Sequence, residues 1–292
     1  MSLSAELAAD RDPAADRRRE FKRLVREVNV EISDFCNRIC PYCPYELKKR
    51  GDSRNIDLEL VERLFADLAK VDFAGLVHLN LYNEPLHDFP FFLEVNRLRR
   101  KYLPNSQTLV NSNGDYINAK IMQEIIDNEI DSICVTIHYK KSWDVTAQSA
   151  LVDRFIAKTG LPLTPKVCDD HIIAESTFGR TRVMVRALDF ALHGNDRGAS
   201  LYHGVLKTTR TRPCDVPEWQ INVNSVGDVY PCCNIYPRVH KNGEYRVGSL
   251  REASIFDVYF SPEYQNFLAK AKAINAHAAD IPAVCRTCTE PR

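Results

Sequence analysis

Three cysteines spaced CxxxCxxC place three thiols on one short loop of this 292-residue chain. They are Cys36, Cys40 and Cys43, and they follow an alternating, β-rich segment at residues 27–32. A [4Fe–4S] cluster is usually held by four cysteine thiolates, so three local thiolates leave one iron open to a ligand from outside the protein. A structural zinc ion needs a fourth protein ligand close by, and no histidine lies within 30 residues of the loop. The spacing therefore favours an iron–sulfur cluster over a zinc site.

The chain has ten cysteines in all, and it is expected to reside in the cytoplasm. Its first residues are polar and charged, without the apolar core of a secretory signal, and no run is long and apolar enough to span a membrane. Disulfides do not persist in a reducing compartment, so the close spacing of most cysteines indicates metal binding. Lys+Arg and Asp+Glu balance at 39 each, which provides no basic surface for nucleic acid. We therefore expect no nucleic-acid partner and no membrane partner.

Predicted strands and helices alternate over most of the chain, which indicates an α/β fold with about five or six parallel βα units. The predicted strands cover residues 27–32, 76–82, 107–114, 132–139 and 182–188, and the predicted helices cover residues 58–71, 91–103 and 121–130. From Cys214 the pattern changes to a β-hairpin at residues 219–233 and a helix at residues 256–278. Pro13 is expected to interrupt any helix near the N-terminus. We predict an N-terminal tail (1–20), a βα domain (21–205) and a small hairpin-plus-helix domain (206–292).

A second group of cysteines lies in this C-terminal part. Cys214 precedes the hairpin, Cys232 follows Gly227 with four residues between them, and Cys285 and Cys288 form a CxxC pair. Thiols in this arrangement converge on one metal, and a zinc ribbon with four thiolates is the alternative to an iron–sulfur cluster. Cys233 is adjacent to Cys232, so either residue is a candidate for the ligand from the hairpin.

The first motif resembles the hallmark of the radical S-adenosylmethionine (SAM) superfamily, and Tyr42, the aromatic residue before the third cysteine, fits the same pattern. The resemblance implies a partial (β/α)6, TIM-like barrel in which Cys36, Cys40 and Cys43 hold a [4Fe–4S] cluster and the open iron binds SAM. It further implies that an external one-electron reductant, such as flavodoxin or ferredoxin, drives SAM cleavage to a 5′-deoxyadenosyl radical.

The resemblance also suggests which residues bind SAM, because TIM-like barrels build their sites at the C-terminal ends of strands. The segment YNEPL is similar to the family's GGEP stretch near the SAM amino group, although a strand-ending turn closed by Pro85 is the alternative. At the end of the third strand, a plain turn is the alternative. At the strand of residues 182–188, the alternatives to Arg186 as a SAM ligand are Arg182 and a solvated arginine without a role. The residues so implied are Tyr42, Glu84, Asn111, Ser112, Asn113, His138 and Arg186.

The C-terminal cysteines resemble the opening of the SPASM motif, a cysteine-rich extension of radical SAM enzymes. The chain stops at Arg292 without the further cysteines of a second auxiliary cluster, which is similar to the shortened arrangement called Twitch. The resemblance implies a second [4Fe–4S] cluster held by Cys214, Cys232, Cys285 and Cys288. Within this class the layout is similar to aminocyclitol dehydrogenases of antibiotic biosynthesis, whose auxiliary cluster accepts an electron. The implied reaction is dehydrogenation of a small carbohydrate-like substrate, an aminosugar or a cyclitol.

Three other functions stay open. A radical epimerase of a carbohydrate would need a thiol to return a hydrogen atom, and Cys168 and Cys233 are the candidates. Many SPASM proteins modify ribosomal peptides, usually with an extra peptide-binding domain for which this chain has no room. A non-catalytic iron–sulfur or zinc protein is the last alternative, but a carrier of electrons does not need a SAM-sized barrel.

Overall fold

The alternating strand and helix segments form an α/β structure around one sheet. The computed structural model describes residues 12–47, 54–138, 142–194, 197, 210–236, 240–275 and 280–288. The strands are β1 (Glu27–Val30), β2 (Leu76–His78), β3 (Gln107–Ser112), β4 (Ser132–Thr136), β5 (Lys166–Val167), β6 (His171–Phe178), β7 (Thr181–Leu188), β8 (Gln220–Val223), β9 (Asp228–Tyr230) and β10 (Gly248–Ser249). The α-helices are α1 (Pro13–Leu24), α2 (Leu58–Ala69), α3 (Phe89–Tyr102), α4 (Ala119–Asp127), α5 (Val145–Thr159), α6 (Phe190–His193), α7 (Val216–Trp219), α8 (Ile255–Tyr259) and α9 (Pro262–Lys272). Within these described ranges no helix is both long and apolar enough to cross a membrane.

The ten strands form a sheet with the order β10-β9-β8-β1-β2-β3-β4-β7-β6-β5. The six central strands, from β8 to β7, run parallel to one another. Antiparallel pairs extend both edges, with β9 and β10 at one and β5 and β6 at the other. The predicted α/β fold with a parallel, barrel-like core and a small C-terminal domain is confirmed. The strands β5 and β6, between α5 and β7, were not predicted.

The two faces of the sheet differ because successive side chains of a strand point to opposite sides. In β1, Val28 and Val30 are fully buried in the hydrophobic core, together with Leu64 and Phe65 of α2. The alternating positions of β1, β2, β3 and β8 on the other face are largely polar. The helices therefore cover an apolar outer face and leave a polar inner face, which lines the site described below.

The C-terminal hairpin continues the same sheet. Strand β8 pairs in parallel with β1, from Glu27 opposite Gln220 to Val30 opposite Val223. The turn to β9 requires glycine at position 227. Gly227 has a φ of +92°, and a Cβ atom there would lie only 2.4 Å from Leu60 Cδ2. The domain boundary predicted near residue 205 lies outside the described residues.

Residues 13–20 of the predicted N-terminal tail form the first part of α1. Pro13 begins this helix instead of interrupting it, because the first helical position has no hydrogen-bond partner for its N–H and suits the φ of proline. Asp12 caps the helix by accepting a hydrogen bond from the Ala14 N–H at 2.9 Å. Phe21 is fully buried and makes edge-to-face contacts with Phe256 and Tyr259, at centroid distances of 4.9 and 5.3 Å. The helix thus packs on the C-terminal part of the chain.

The single helix predicted at residues 256–278 is also wrong, because the structure has two helices there, α8 and α9. Ser261 caps α9 by accepting a hydrogen bond from the Tyr264 N–H at 3.2 Å, and Pro262 occupies its first position. Because proline has no N–H to donate within a helix, α8 does not continue into α9, and the helical conformation is interrupted between Tyr259 and Pro262. Residues 276–279 lie outside the described part of the chain.

Candidate active site

One cavity of about 350 Å³ lies on the inner face of the sheet, at the ends of its parallel strands. The first cysteine group and the residues implied in SAM binding all line it, and so does one of the two candidate hydrogen donors. These residues are Cys36, Cys40, Tyr42, Cys43, Glu84, Asn111, Ser112, Asn113, His138, Arg186 and Cys233. Side chains that are up to about 200 positions apart in the sequence are therefore brought together at one site.

The cysteine loop is fastened to the barrel by residues that the sequence reasoning missed. The Arg38 guanidinium forms a two-pronged ion pair with Asp115, with N–O distances of 2.7 and 2.5 Å, and it donates to the His138 carbonyl at 3.0 Å. Asn37 also donates to Asp115, at 2.7 Å. Burial alone would raise the pKa of Asp115, but the Arg38 hydrogen bonds and charge hold it below its usual value. Two features of the sequence could have indicated this ion pair: Arg38 lies inside the cysteine loop, and Asp115 directly follows Gly114 at the end of a predicted strand.

The thiols of this loop are buried in a way that suits a metal cluster. Burial, together with nearby negative groups, raises the pKa of Cys36 to about 11 and the pKa of Cys43 to about 12. The thiols are therefore protonated at neutral pH unless positively charged iron stabilises the thiolates. The Asn113 amide nitrogen lies 3.9 Å from the Cys36 sulfur and offers it a hydrogen bond. Three soft thiolate ligands facing one cavity fit an iron–sulfur cluster with one open iron.

Glu84 holds the turn after β3 rather than pointing freely into the cavity. Its carboxylate accepts hydrogen bonds from the Ser112 hydroxyl at 2.8 Å, the Asn113 N–H at 2.7 Å and the Leu86 N–H at 3.2 Å. Burial raises its pKa to about 7 despite these hydrogen bonds. Tyr82, where the family has glycine, donates to the Cys233 carbonyl at 2.5 Å. Glu84 therefore holds the end of β3, at Ser112 and Asn113, in place.

Aromatic rings form one wall of the cavity. The rings of Tyr42 and Phe190 stack at a centroid distance of 3.8 Å, and the His138 ring lies nearly parallel to both. The Tyr42 hydroxyl and His138 Nδ1 are 2.5 Å apart. Burial, with a smaller contribution from the Arg38 charge, lowers the pKa of His138 to about 4, so its imidazole is neutral at pH 7. This flat wall is suited to stack against a planar base.

Of the two rival arginines, Arg186 lies at the cavity and Arg182 does not. The Arg186 Nε donates to the Thr136 hydroxyl at 3.1 Å, and its guanidinium lines the cavity. Arg182 is exposed and forms an ion pair with Glu175 at 2.6 Å. Arg186 therefore supplies a positive charge to the cavity, where it could pair with the carboxylate of a bound ligand.

The second cysteine group surrounds a separate, smaller cavity. Cys214, Cys232, Cys285 and Cys288 all line it. The Cys288 sulfur accepts hydrogen bonds from Arg210 at 3.7 Å and from the Asn234 side chain at 3.5 Å, and the Cys232 sulfur accepts from the Asn234 N–H at 3.4 Å. Burial and the neighbouring thiols raise the pKa of Cys285 to about 12. Four thiols around one cavity, two of which accept hydrogen bonds from N–H donors on their sulfurs, fit a fully ligated iron–sulfur cluster.

The three remaining cysteines occupy different places. Cys233 follows Cys232 directly but lines the central cavity. Cys168 lies at the far edge of the sheet, where its N–H donates to the His171 carbonyl at 2.8 Å, and it is absent from the described lining of the central cavity. Cys134 is buried in β4, with its sulfur 3.8 Å from that of Met184.

Near Cys168, the sequence run Asp169-Asp170-His171 forms an exposed network. The Asp170 carboxylate accepts from His171 Nδ1 at 2.6 Å and from His193 Nε2 at 2.8 Å. These three side chains satisfy one another, and all of them are at least partly exposed.

Comparisons with known proteins agree with this arrangement. The radical SAM superfamily model matches residues 30–139, which include the first cysteine group and the strands β1 to β4. The SPASM model, an iron–sulfur cluster-binding domain, matches residues 214–289, which include the second group.

Individual relatives resemble the chain over nearly its whole length. An S-adenosyl-L-methionine-dependent 2-deoxy-scyllo-inosamine dehydrogenase from Niallia circulans is 24% identical over 266 residues, which cover 91% of this chain and 93% of the relative. The crystal structure of BtrN in complex with AdoMet and 2-DOIA has a TM-score of 0.67 at 22% identity, covering 91% of this chain and 93% of BtrN. The structure of anSMEcpe with bound AdoMet has a TM-score of 0.51 at 12% identity, covering 86% and 81%. This chain belongs to the radical SAM superfamily and carries a SPASM iron–sulfur cluster-binding domain in its C-terminal part.

Proposed function

We propose that this radical SAM enzyme dehydrogenates a small carbohydrate-like substrate, an aminosugar or an aminocyclitol, in natural-product biosynthesis. The observation that carries the proposal is the placement of two adjacent residues. Cys233 lines the central cavity, and Cys232 lines the cavity of the second thiol group. A redox centre behind Cys232 would therefore lie one residue from a substrate in the central cavity.

Two [4Fe–4S] clusters and SAM are the cofactors in this proposal. Cys36, Cys40 and Cys43 hold the first cluster, and the second is held by Cys214, Cys232, Cys285 and Cys288. When bound, these groups supply a 5′-deoxyadenosyl radical and a one-electron acceptor, while flavodoxin or ferredoxin supplies electrons. Four cysteine ligands leave no open iron at the second site, which favours electron transfer over substrate binding there.

The residues of the barrel bind and orient SAM. Arg186 is suited to pair with its carboxylate, and the wall of Tyr42, His138 and Phe190 is suited to stack on its adenine. Asn111, Ser112 and Asn113, held by Glu84, offer hydrogen bonds to its ribose. These roles rest on the position of each side chain at the cavity.

The lining of the cavity supports a hydroxylated substrate. Asn29, Asn80, Thr136 and Gln220 present amide and hydroxyl groups on the inner face of the sheet. Such groups pair with the hydroxyls and amines of a small ring, and a site built from them rejects apolar analogues because their hydrogen bonds would be lost. The named relative, a 2-deoxy-scyllo-inosamine dehydrogenase, supports the same substrate class.

The test is an anaerobic incubation of the reconstituted enzyme with SAM, a reductant and 2-deoxy-scyllo-inosamine. We expect 5′-deoxyadenosine and, in equal amount, a product two mass units lighter than the substrate, which is the ketone. The triple variant Cys36→Ala, Cys40→Ala, Cys43→Ala should give neither compound. If the wild-type enzyme forms 5′-deoxyadenosine and the cyclitols and aminosugars offered all stay unchanged in mass, the dehydrogenase proposal fails.

Epimerisation is the second candidate, because Cys233 lines the cavity. A thiol there could return a hydrogen atom to a substrate radical. In deuterium oxide an epimerase yields a product one mass unit heavier than the substrate, since the thiol exchanges with solvent. That outcome, abolished in Cys233→Ala and kept in the matched control Cys168→Ala, would replace the dehydrogenase by the epimerase.

A further inference from the structure

The floor of the central cavity carries a buried group of polar side chains whose centre, Glu27 with His78, takes no part in the SAM binding or the substrate hydrogen bonds proposed for this site. Glu27 and Asn29 of β1, His78 of β2 and Gln220 of β8 all line it. Interiors of TIM-like barrels are usually filled by branched aliphatic side chains, so this group is not needed for packing. Buried polar groups cost stability unless they are paired, and their presence indicates a task at this position.

Glu27 is the centre of this group. Its Oε1 accepts from the Gln220 amide at 2.5 Å and from the Asn29 amide at 3.2 Å. The same oxygen lies 3.4 Å from Nε2 of His78, and the two side chains are only 12% and 18% exposed. Three nitrogen groups from three strands thus surround one carboxylate oxygen. Within the described residues, Nε2 of His78 is buried and has no hydrogen-bond partner, so it is available to accept a proton beside the Glu27 carboxylate.

The protonation state of His78 suits a proton acceptor. Burial lowers its pKa, and the nearby Glu27 charge opposes the effect in part. The imidazole is therefore neutral at pH 7, with one nitrogen able to accept a proton. A proton that it accepts would be stabilised by the carboxylate next to it, as in other pairs of a histidine base and an orienting acid.

We propose that His78, which lies beside Glu27, accepts the hydroxyl proton of the substrate during its oxidation; the inference rests on the proposed dehydrogenase function. The carbinol C–H bond breaks first, and its hydrogen atom forms the new C–H bond of 5′-deoxyadenosine. The O–H bond then breaks, and its proton goes to His78. The remaining electron leaves for the one-electron acceptor as the C=O bond forms. One hydrogen atom, one proton and one electron are thereby all accounted for.

Other groups among the described lining residues are less suited to this task. The Glu84 carboxylate already accepts three hydrogen bonds. His138 faces the Tyr42 hydroxyl through Nδ1, and its pKa of about 4 makes it a weak base. Arg38 and Arg186 carry no acceptor in their charged state. His78 is the histidine that combines a neutral ring with a carboxylate partner at the floor of the cavity.

The experiment uses 2-deoxy-scyllo-inosamine deuterated at every ring carbon, with the reconstituted enzyme, SAM and a reductant. It follows deuterium entering 5′-deoxyadenosine and, separately, the amount of ketone. In His78→Gln we expect deuterium transfer within about threefold of wild type and ketone formation lower by about 100-fold, the usual contribution of a general base. Glu27→Gln should lower ketone formation by about tenfold, because the imidazole remains but loses the negative charge that stabilises its protonated form. His193→Gln, an exposed histidine outside the cavity, is the matched control.

A binding measurement separates catalysis from structure. Calorimetry with the same cyclitol, in the presence of SAM, should give a Kd for His78→Gln within about threefold of wild type, since glutamine keeps a hydrogen bond. If His78→Gln loses iron, the same comparison with Glu27→Gln decides. Unchanged ketone formation in both variants overturns the proposal, and so does a joint loss of binding and deuterium transfer. A wild-type enzyme that transfers no deuterium instead overturns the dehydrogenase function, and this inference with it.

Discussion

At the scale of single residues, adjacent side chains carry different tasks. Cys232 and Cys233 are neighbours in sequence, and the sequence alone left open which one faces the second cysteine group. In the structure Cys232 lines the small cavity with Cys214, Cys285 and Cys288, while Cys233 lines the large one. The position of Cys232 among these thiols makes it the expected ligand.

This assignment predicts different iron contents for two variants. Cys232→Ala should lose roughly half of the about eight irons expected for two [4Fe–4S] clusters, while Cys233→Ala should keep them all. Iron and sulfide analysis of the purified, reconstituted proteins measures this directly. The reverse pattern, with iron lost only in Cys233→Ala, would exchange the roles of the two residues.

The lowered pKa of His138 leads us to expect that the stability of the protein depends on pH. Its pKa is about 4 in the folded protein and its ordinary value is 6.5, so the unfolded chain binds the proton first as the pH falls. Stability is therefore lost between pH 6.5 and pH 4. At about 1.4 kcal/mol per pKa unit, wild type should lose roughly 2 to 3 kcal/mol more than His138→Gln between pH 7 and pH 4.5. Anaerobic urea unfolding at both pH values measures the difference, and equal losses would show that His138 is not buried as a neutral ring.

At the scale of elements, the prediction succeeded where a local pattern decides the structure. The alternating strands, the helices between them and both cysteine groups have strong local signals. Pro13 misled because its effect depends on position: it breaks a helix interior but suits a first turn. The polar floor of Glu27 and His78 was missed because these residues are far apart in sequence and meet only through strand pairing, with Asn29 opposite His78.

We expect the protein to lose stability when Phe21, the residue by which α1 packs on the C-terminal part, is removed. Phe21 is fully buried against Phe256 and Tyr259. Phe21→Ala should lower the free energy of unfolding by about 3 to 5 kcal/mol, because it removes this burial and leaves a void. Arg17→Ala, an exposed position of the same helix, should change it by less than about 0.5 kcal/mol. A small effect of Phe21→Ala in chemical unfolding would mean that α1 does not pack on the C-terminal part.

At the scale of the whole molecule, strand pairing brings the two cysteine groups to one sheet. Strand β8, whose hairpin partner β9 leads to Cys232, lies beside β1, which leads to Cys36. Tyr82, from the loop after β2, joins the same region by its hydrogen bond to the Cys233 carbonyl. A pairing of strands about 190 residues apart cannot be deduced from local patterns, and it is the feature that places both groups next to one cavity.

The reaction that we propose for this architecture returns the electron that it uses. Cleaving SAM takes one electron, and oxidising the substrate radical to a ketone gives one back, so the net reaction consumes none. An epimerase instead takes one electron for SAM and a second to restore its thiol.

The most direct test counts products per electron. The reconstituted enzyme, with SAM and 2-deoxy-scyllo-inosamine in excess, receives a limiting anaerobic dose of one electron per enzyme. We predict several molecules of ketone, each with one 5′-deoxyadenosine, for every electron supplied. At most one product per two electrons, with the product equal in mass to the substrate, would contradict the account.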